Sequence, residues 1–149
     1  MSNSYIYLLL AVLAGAMMPT QAALNNKMAA VVDSPILAAF ISFFVGTLAL
    51  FVYVLASGTP IGNLSSIKEA PPVAWIGGLL GAFFVTMTVL LAPRLGVAMT
   101  FSLIIAGQML VTIVIDHFGL LGMPVQAVSL PRVAGILLVT AGVVLIRKF

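Results

Sequence analysis

Long apolar stretches dominate the chain, and short polar segments rich in Gly and Pro separate them. A helix of about 20 residues, rising about 1.5 Å per residue, crosses a hydrocarbon core of about 30 Å. The stretches are continuously apolar, whereas strands of a membrane barrel would alternate apolar and polar positions. The pattern predicts an all-α integral membrane protein, a single transmembrane domain over 1–149 with five transmembrane helices at about 5–24, 35–56, 73–92, 97–116 and 131–147.

The boundaries of two runs carry recognisable helix signals. Ser34 precedes the second run as an N-cap, and Pro35 follows at the first helical position, where its missing N–H costs nothing. The segment 57–72 contains Gly, Pro, Asn and Ser and is predicted to be the longest polar loop. The first run could instead be a signal peptide, but no Lys or Arg precedes Tyr5 and four further runs follow.

Composition makes lipid the expected solvent. Hydrophobic residues form 63% of the 149 and charged residues only 6%, whereas soluble domains carry about 25% charged residues. The six Lys and Arg residues are scattered and form no basic stripe, so the bilayer is an expected partner and nucleic acid is not.

An odd number of spans places the two termini on opposite faces of the membrane. Basic residues near span ends favour the cytoplasmic side. Four basic residues lie on the same side of the membrane as the C-terminus: Lys27, Arg94, Arg147 and Lys148. Two, Lys68 and Arg132, lie on the opposite side. The count favours a cytoplasmic C-terminus, and so small a bias permits insertion in both orientations.

Polar residues inside the spans are the candidate substrate contacts, because polar groups in lipid are costly and usually functional. Gln21 and Asn25 lie four residues apart on one face near the end of the first span, after Pro19. Gln108 and Thr112 lie four apart in the fourth span. The alternatives are helix-terminal caps for the first pair and helix–helix hydrogen bonding for Gln108.

Asp116 and His117, at the end of the fourth run, form an acid–imidazole pair that could couple transport to protons, or serve structure and topology instead. One His and a neighbouring acid do not form a metal-ligand set, and the chain has no Cys. No nucleophile–base pair, phosphate-binding glycine loop or intramembrane carboxylate pair is found. We therefore expect no enzyme activity, no cofactor and no metal.

Small residues predict close helix packing. Gly77 and Gly81 are four apart in the third span, and Gly135 and Gly142 are seven apart in the fifth. Such spacings let helix backbones approach each other in lipid, within one chain or between two.

Three stretches carry a family resemblance: AGAMMPTQAALNNKM from Ala14, APRLGVAMTFSLIIAGQMLVTIVIDHFGLLG from Ala92, and GILLVTAGV from Gly135. The run from Gly135 resembles the final helix of small multidrug resistance proteins and of the wider drug/metabolite transporter superfamily. The stretches from Ala14 and Ala92 resemble the YdcZ-like family of five-helix, half-size members of that superfamily. The resemblance implies a transporter of the bacterial inner membrane and a dimer contact on the last helix. The first helix lacks the membrane-embedded glutamate of small multidrug resistance proteins, which leaves recognition to Gln21, Asn25 and Gln108.

The expected function is secondary transport of small organic molecules, by efflux or exchange of metabolites, drugs or cations. Ten-helix superfamily members resemble two inverted five-helix halves, so an antiparallel homodimer with a shared cavity is the expected working unit. The alternatives are a passive oligomeric channel and an accessory subunit of another membrane protein.

Overall fold

The computed structural model describes residues 2–148, and within them it contains helices and no strand. Five helices are long and apolar enough to cross a membrane. They are α1 Ser2–Val32, α2 Pro35–Ala56, α3 Ile76–Leu95, α4 Val97–Phe118 and α5 Leu130–Lys148. The predicted all-α fold with five spans is therefore confirmed.

Helix α1 is longer than the apolar run that predicts it. It has 31 residues and continues through Asn25 to Val32, a length of about 46 Å at about 1.5 Å per residue. The apolar run stops at residue 24, but nothing after it breaks a helix until Asp33, whose φ of 50° turns the chain into the left-handed region. The end of hydrophobicity and the end of the helix are thus eight residues apart.

The turn between α1 and α2 uses the predicted cap. Ser34 is extended, and its Oγ accepts a hydrogen bond from the N–H of Leu37 at 3.2 Å, with Pro35 at the first helical position. The cap satisfies an N–H that the helix itself cannot pair. As a result α2 folds back along α1 as an antiparallel hairpin.

The chain divides into two compact units, Met1–Pro93 and Arg94–Phe149. In the first unit, buried side chains lie near the α1–α2 turn, where Ala22, Ala38 and Ala39 are at most 4% exposed. A second buried group lies in the later turns of α3, at Val85, Thr88, Val89 and Ala92. Residues 4–17 of α1, at the other end, are all exposed. The hairpin is therefore tightly closed at its turn and open towards the N-terminus.

The second unit is built on the pair α4 and α5, joined by 119–129. Gly119 ends α4 with φ of 61°, and its N–H donates to the carbonyl of Ile115. A Cβ at this position would lie 2.7 Å from Cγ2 of Val125, so the connecting segment folds back over a site where only glycine fits. The prediction of a single transmembrane domain stays a prediction.

Replacing Ala38 with Leu tests the packing of the hairpin. Ala38 is fully buried, and forcing extra methylene groups into such a site costs about 1–3 kcal/mol. We expect Ala38→Leu to lower the thermal unfolding temperature in detergent. The matched control Ala49→Leu, at an exposed position of the same helix, should leave it unchanged. Equal unfolding temperatures for both variants would contradict the packing described here.

Candidate functional site

A notch whose largely apolar lining includes three polar side chains lies between α1 and α2. It has a volume of about 210 Å³ and is lined by Gln21 from α1 and by Ser42, Phe43, Gly46, Thr47 and Leu50 from α2. Nε2 of Gln21 donates to Oγ of Ser42 at 3.4 Å, a long hydrogen bond that a better partner could replace. The notch therefore presents an amide and two hydroxyl groups between apolar helices.

The position of the notch follows from the divergence of the hairpin. Pro19 lies inside α1 and has no N–H, which removes one hydrogen bond of the helix. The buried and half-buried residues of α1 all lie between Met18 and the turn. Nearly all those of α2 lie between Pro35 and Ser42. Gln21 and Ser42 thus lie where close packing ends, and the missing side chain of Gly46 leaves room beside them.

Asn25, one helical turn from Gln21, is buried at 7% exposure. Its Nδ2 is buried and has no hydrogen-bond partner among the residues that the structure describes. An unpaired buried amide costs about 1–3 kcal/mol. Asn25 is therefore a candidate for bonding to a group that the isolated chain does not supply.

Gln108 and Thr112 are both exposed on α4. Within residues 2–148 neither side chain forms a hydrogen bond, so helix–helix bonding of Gln108 inside the single chain is not observed. Both residues belong to the second unit and Gln21 and Asn25 to the first. Their role as substrate contacts stays a prediction.

Asp116 and His117 hold the segment that joins α4 to α5. Oδ2 of Asp116 accepts from Nη1 of Arg132 at 3.4 Å, and its backbone carbonyl accepts from the N–H of Gln126 at 2.8 Å. Nδ1 of His117 accepts from the N–H of Val128 at 3.3 Å. This bond requires an unprotonated Nδ1. Both side chains have structural contacts here, and their predicted role in proton coupling is untested.

Arg132 completes this cluster from the first turn of α5. Its guanidinium also donates to the carbonyl and to the side-chain Oε1 of Gln126. Gln126 is therefore fixed between the two helix ends by its own N–H, its carbonyl and its side chain. The sequence analysis used Arg132 only to predict membrane orientation. An acid and a base at opposite ends of one loop are, however, a signal in the sequence for an ion pair such as that between Asp116 and Arg132.

The four glycines predicted to pack helices fall into two groups. A Cβ on Gly81 would lie 3.6 Å from the ring of Phe43, an ordinary contact between α3 and α2. At Gly77, Gly135 and Gly142 a Cβ would meet nothing within 4 Å. On α5 the residues with reduced exposure are Arg132, Ile136, Val139, Gly142 and Val143. Gly142 therefore lies at the edge of the packed face, and Gly135 is exposed beside it.

Ser42 and Thr47 are the notch residues that sequence reasoning missed. They are polar positions inside the most hydrophobic of the five spans, with Gly46 between them. A search of each span for isolated hydroxyl groups near a glycine would have found them.

Five apolar helices, a notch with three polar side chains at mid-hairpin and an ion pair at a loop define a polytopic α-helical membrane protein. The model of the family described as "Putative inner membrane exporter, YdcZ" matches residues 6–145, and the chain belongs to this family. Comparisons with curated proteins and with solved structures return no match. The chain is thus a multi-pass inner membrane protein and a membrane transporter, as the sequence resemblance implies.

Replacing Arg132 with Met tests the cluster at the α4–α5 connection. The change removes the ion pair with Asp116 and both contacts to Gln126. Because both charged side chains are partly exposed, the loss in global stability should be only about 0–1 kcal/mol. Hydrogen exchange should become faster in 119–129, while the helices keep their protection. Arg147→Met, at the other end of α5, is the control, and unchanged exchange in 119–129 would contradict the cluster's role.

Proposed function

We propose that this protein is a secondary transporter of small organic molecules, which effluxes or exchanges metabolites, drugs or organic cations across the inner membrane. Its working unit is a homodimer, preferably antiparallel. The family's description favours outward movement.

The notch at Gln21 is the observation that carries this proposal. Hydrogen-bonding groups within apolar spans are costly in lipid and mark substrate pathways. Gln21 shares a long hydrogen bond with Ser42, so its amide can exchange this partner for a substrate at low cost. Asn25 lies one turn further along α1, buried and outside the lining of the notch, and its unpaired Nδ2 is proposed as a second donor.

Recognition rests on hydrogen bonds more than on charge. Among residues 2–148 the acids are Asp33, Glu69 and Asp116, and they lie in a turn, in the 57–75 segment and at the end of α4. No carboxylate faces the notch. Neutral polar molecules and weakly hydrated organic cations fit such a lining better than strongly hydrated ions. Gln108 and Thr112 are proposed as further substrate contacts, and Asp116 and His117 as the candidates for proton coupling.

The size of the notch supports pairing of two chains. Pockets for drug-sized ligands occupy about 300–1,000 Å³, and the notch has about 210 Å³. One notch holds part of a small molecule, and two copies facing each other provide a complete site. Antiparallel copies reproduce the inverted repeats on which alternating access depends.

The uncovered glycines of α5 are the proposed dimer contact. Gly135 and Gly142 leave the helix backbone open beside the face that packs on α4. In lipid, such small residues stabilise helix pairs by allowing close van der Waals contact. A second copy of α5 meets this requirement.

Gln21→Leu should reduce transport without unfolding the protein, because Gln21 is exposed in the single chain. Loss of a substrate hydrogen bond of about 1.4 kcal/mol corresponds to about tenfold lower flux at low substrate concentration. The measurement is gradient-driven flux in proteoliposomes over a panel containing tetraphenylphosphonium, ethidium, amino acids and sugars. Ser42→Ala should cause a smaller loss.

Thr20→Val is the matched control for this series. Thr20 is the neighbour of Gln21, and its hydroxyl bonds only to the carbonyl of Ala16 in its own helix. Full flux in Gln21→Leu, or an equal loss in Thr20→Val, would remove Gln21 from the site. No flux of any panel member by folded wild-type protein would count against a carrier.

Gly135→Ile should weaken the dimer, because a branched side chain separates two closely packed backbones. Cross-linking and light scattering in detergent measure the dimer fraction. Ala141→Ile, at an exposed position of the same helix, should leave the dimer intact. For antiparallel pairing, tags at both termini should be accessible from both sides of the membrane. An intact Gly135→Ile dimer excludes this contact, and a single orientation excludes the antiparallel arrangement.

A further inference from the structure

The segment between α2 and α3 is not an irregular polar loop. Residues Ile61–Glu69 form a 3₁₀ helix, η1, and Pro72–Trp75 form a second, η2. A 3₁₀ helix has three residues per turn, so positions three apart lie on one face. Runs longer than three or four residues are uncommon, and η1 has nine.

The sequence of η1 follows this period of three. One face carries Ile61, Leu64 and Ile67, which are 49%, 62% and 47% exposed. The other two faces are small or polar. One carries Gly62, Ser65 and Lys68, and the other carries Asn63, Ser66 and Glu69. An amphipathic helix with an exposed apolar ridge is typical of a segment lying in the membrane interface.

The location of η1 agrees with an interfacial position. Helix α2 has 22 residues, about 33 Å, which matches a hydrocarbon core of about 30 Å. Its end at Ala56 therefore lies near the headgroups, and η1 begins five residues later. Trp75 in η2 is 59% exposed, and an indole favours the same depth.

A second groove separates η1 from the last turns of α2. It measures about 330 Å³ and is lined by Phe51, Val54, Thr59, Pro60, Ile61, Asn63 and Leu64. Its walls are largely apolar, and Thr59 and Asn63 provide polar atoms. Phe51 is 57% exposed, so the groove continues the lipid-facing surface of α2. This continuity makes a lipid its natural occupant.

We propose that η1 lies in the bilayer interface with its Ile61–Leu64–Ile67 ridge in lipid, and that the groove binds an acyl chain of a zwitterionic phospholipid. The lining of the groove contains no charged side chain, which favours a lipid whose headgroup has no net charge. The site is separate from the notch at Gln21, and its lipid role does not depend on the transported substrate.

Site-directed spin labelling tests the position of η1. The natural chain contains no Cys, so single-Cys variants of residues 61–69 can be labelled in an unaltered background. In phosphatidylcholine nanodiscs, labels at 61, 64 and 67 should show high accessibility to oxygen and low accessibility to a water-soluble nickel chelate. Labels at 65 and 66 should show the reverse, giving a period of three.

Two patterns would overturn the proposal. Nickel accessibility at all nine positions would place η1 in water, as an ordinary loop. Low accessibility to both reagents at 61, 64 and 67 would place the ridge in a protein contact, such as one with a second copy.

Native mass spectrometry tests the occupant of the groove. Protein released from phosphatidylcholine nanodiscs should retain a bound phospholipid that Val54→Phe loses, because the larger side chain fills the groove. Val52→Phe, on the exposed surface of the same helix, should retain it. Equal retention by both variants, or selective retention of phosphatidylglycerol from a mixed bilayer, would overturn the assignment.

Discussion

The hydrogen-bonding demand of the backbone in lipid is the constraint on which the rest of this structure depends. No water is present in the hydrocarbon core, so each N–H and C=O group must be paired inside the segment that carries it. The five helices of residues 2–148 pair their backbone groups in this way except where a proline inside a helix, such as Pro19 of α1, removes one bond. Ser34 and Gly119 satisfy groups at two helix ends. Against this background the unpaired Nδ2 of Asn25 is conspicuous, because the buried hydroxyl groups of Thr88 and Thr100 both form hydrogen bonds.

The first unit shows how small side chains and one proline produce a site. Ala22, Ala38 and Ala39 allow α1 and α2 to pack closely at their turn. Beyond Pro19 the two helices lose this close contact, and Gln21 meets Ser42 at the point of divergence. A polar group can be held there without the cost of full burial. The site thus depends on the hairpin's being packed at one end only.

The segments between helices are more ordered than their polar composition suggests. Asp116, Arg132 and Gln126 connect the ends of α4 and α5 through charged and neutral hydrogen bonds. In η1 the chain adopts a helix whose period matches the spacing of its three apolar residues. Both segments join long apolar helices, and both combine apolar side chains with polar ones.

The sequence alone determined the class of fold. A continuously apolar run long enough to cross a bilayer can pair its backbone groups in lipid only as a helix. It also determined the cap at Ser34 and the family, whose motifs extend along the chain. The sequence shows an acid and a base on either side of one loop, but only the tertiary structure shows that Asp116 bonds to Arg132, 16 residues away. Ser42 is visible in the sequence as a hydroxyl near Gly46, but its contact with Gln21 depends on how α1 and α2 pack. The groove beside η1 likewise depends on how η1 lies against the end of α2. Hydrophobicity decides which segments enter the membrane, and packing decides which polar atoms then meet.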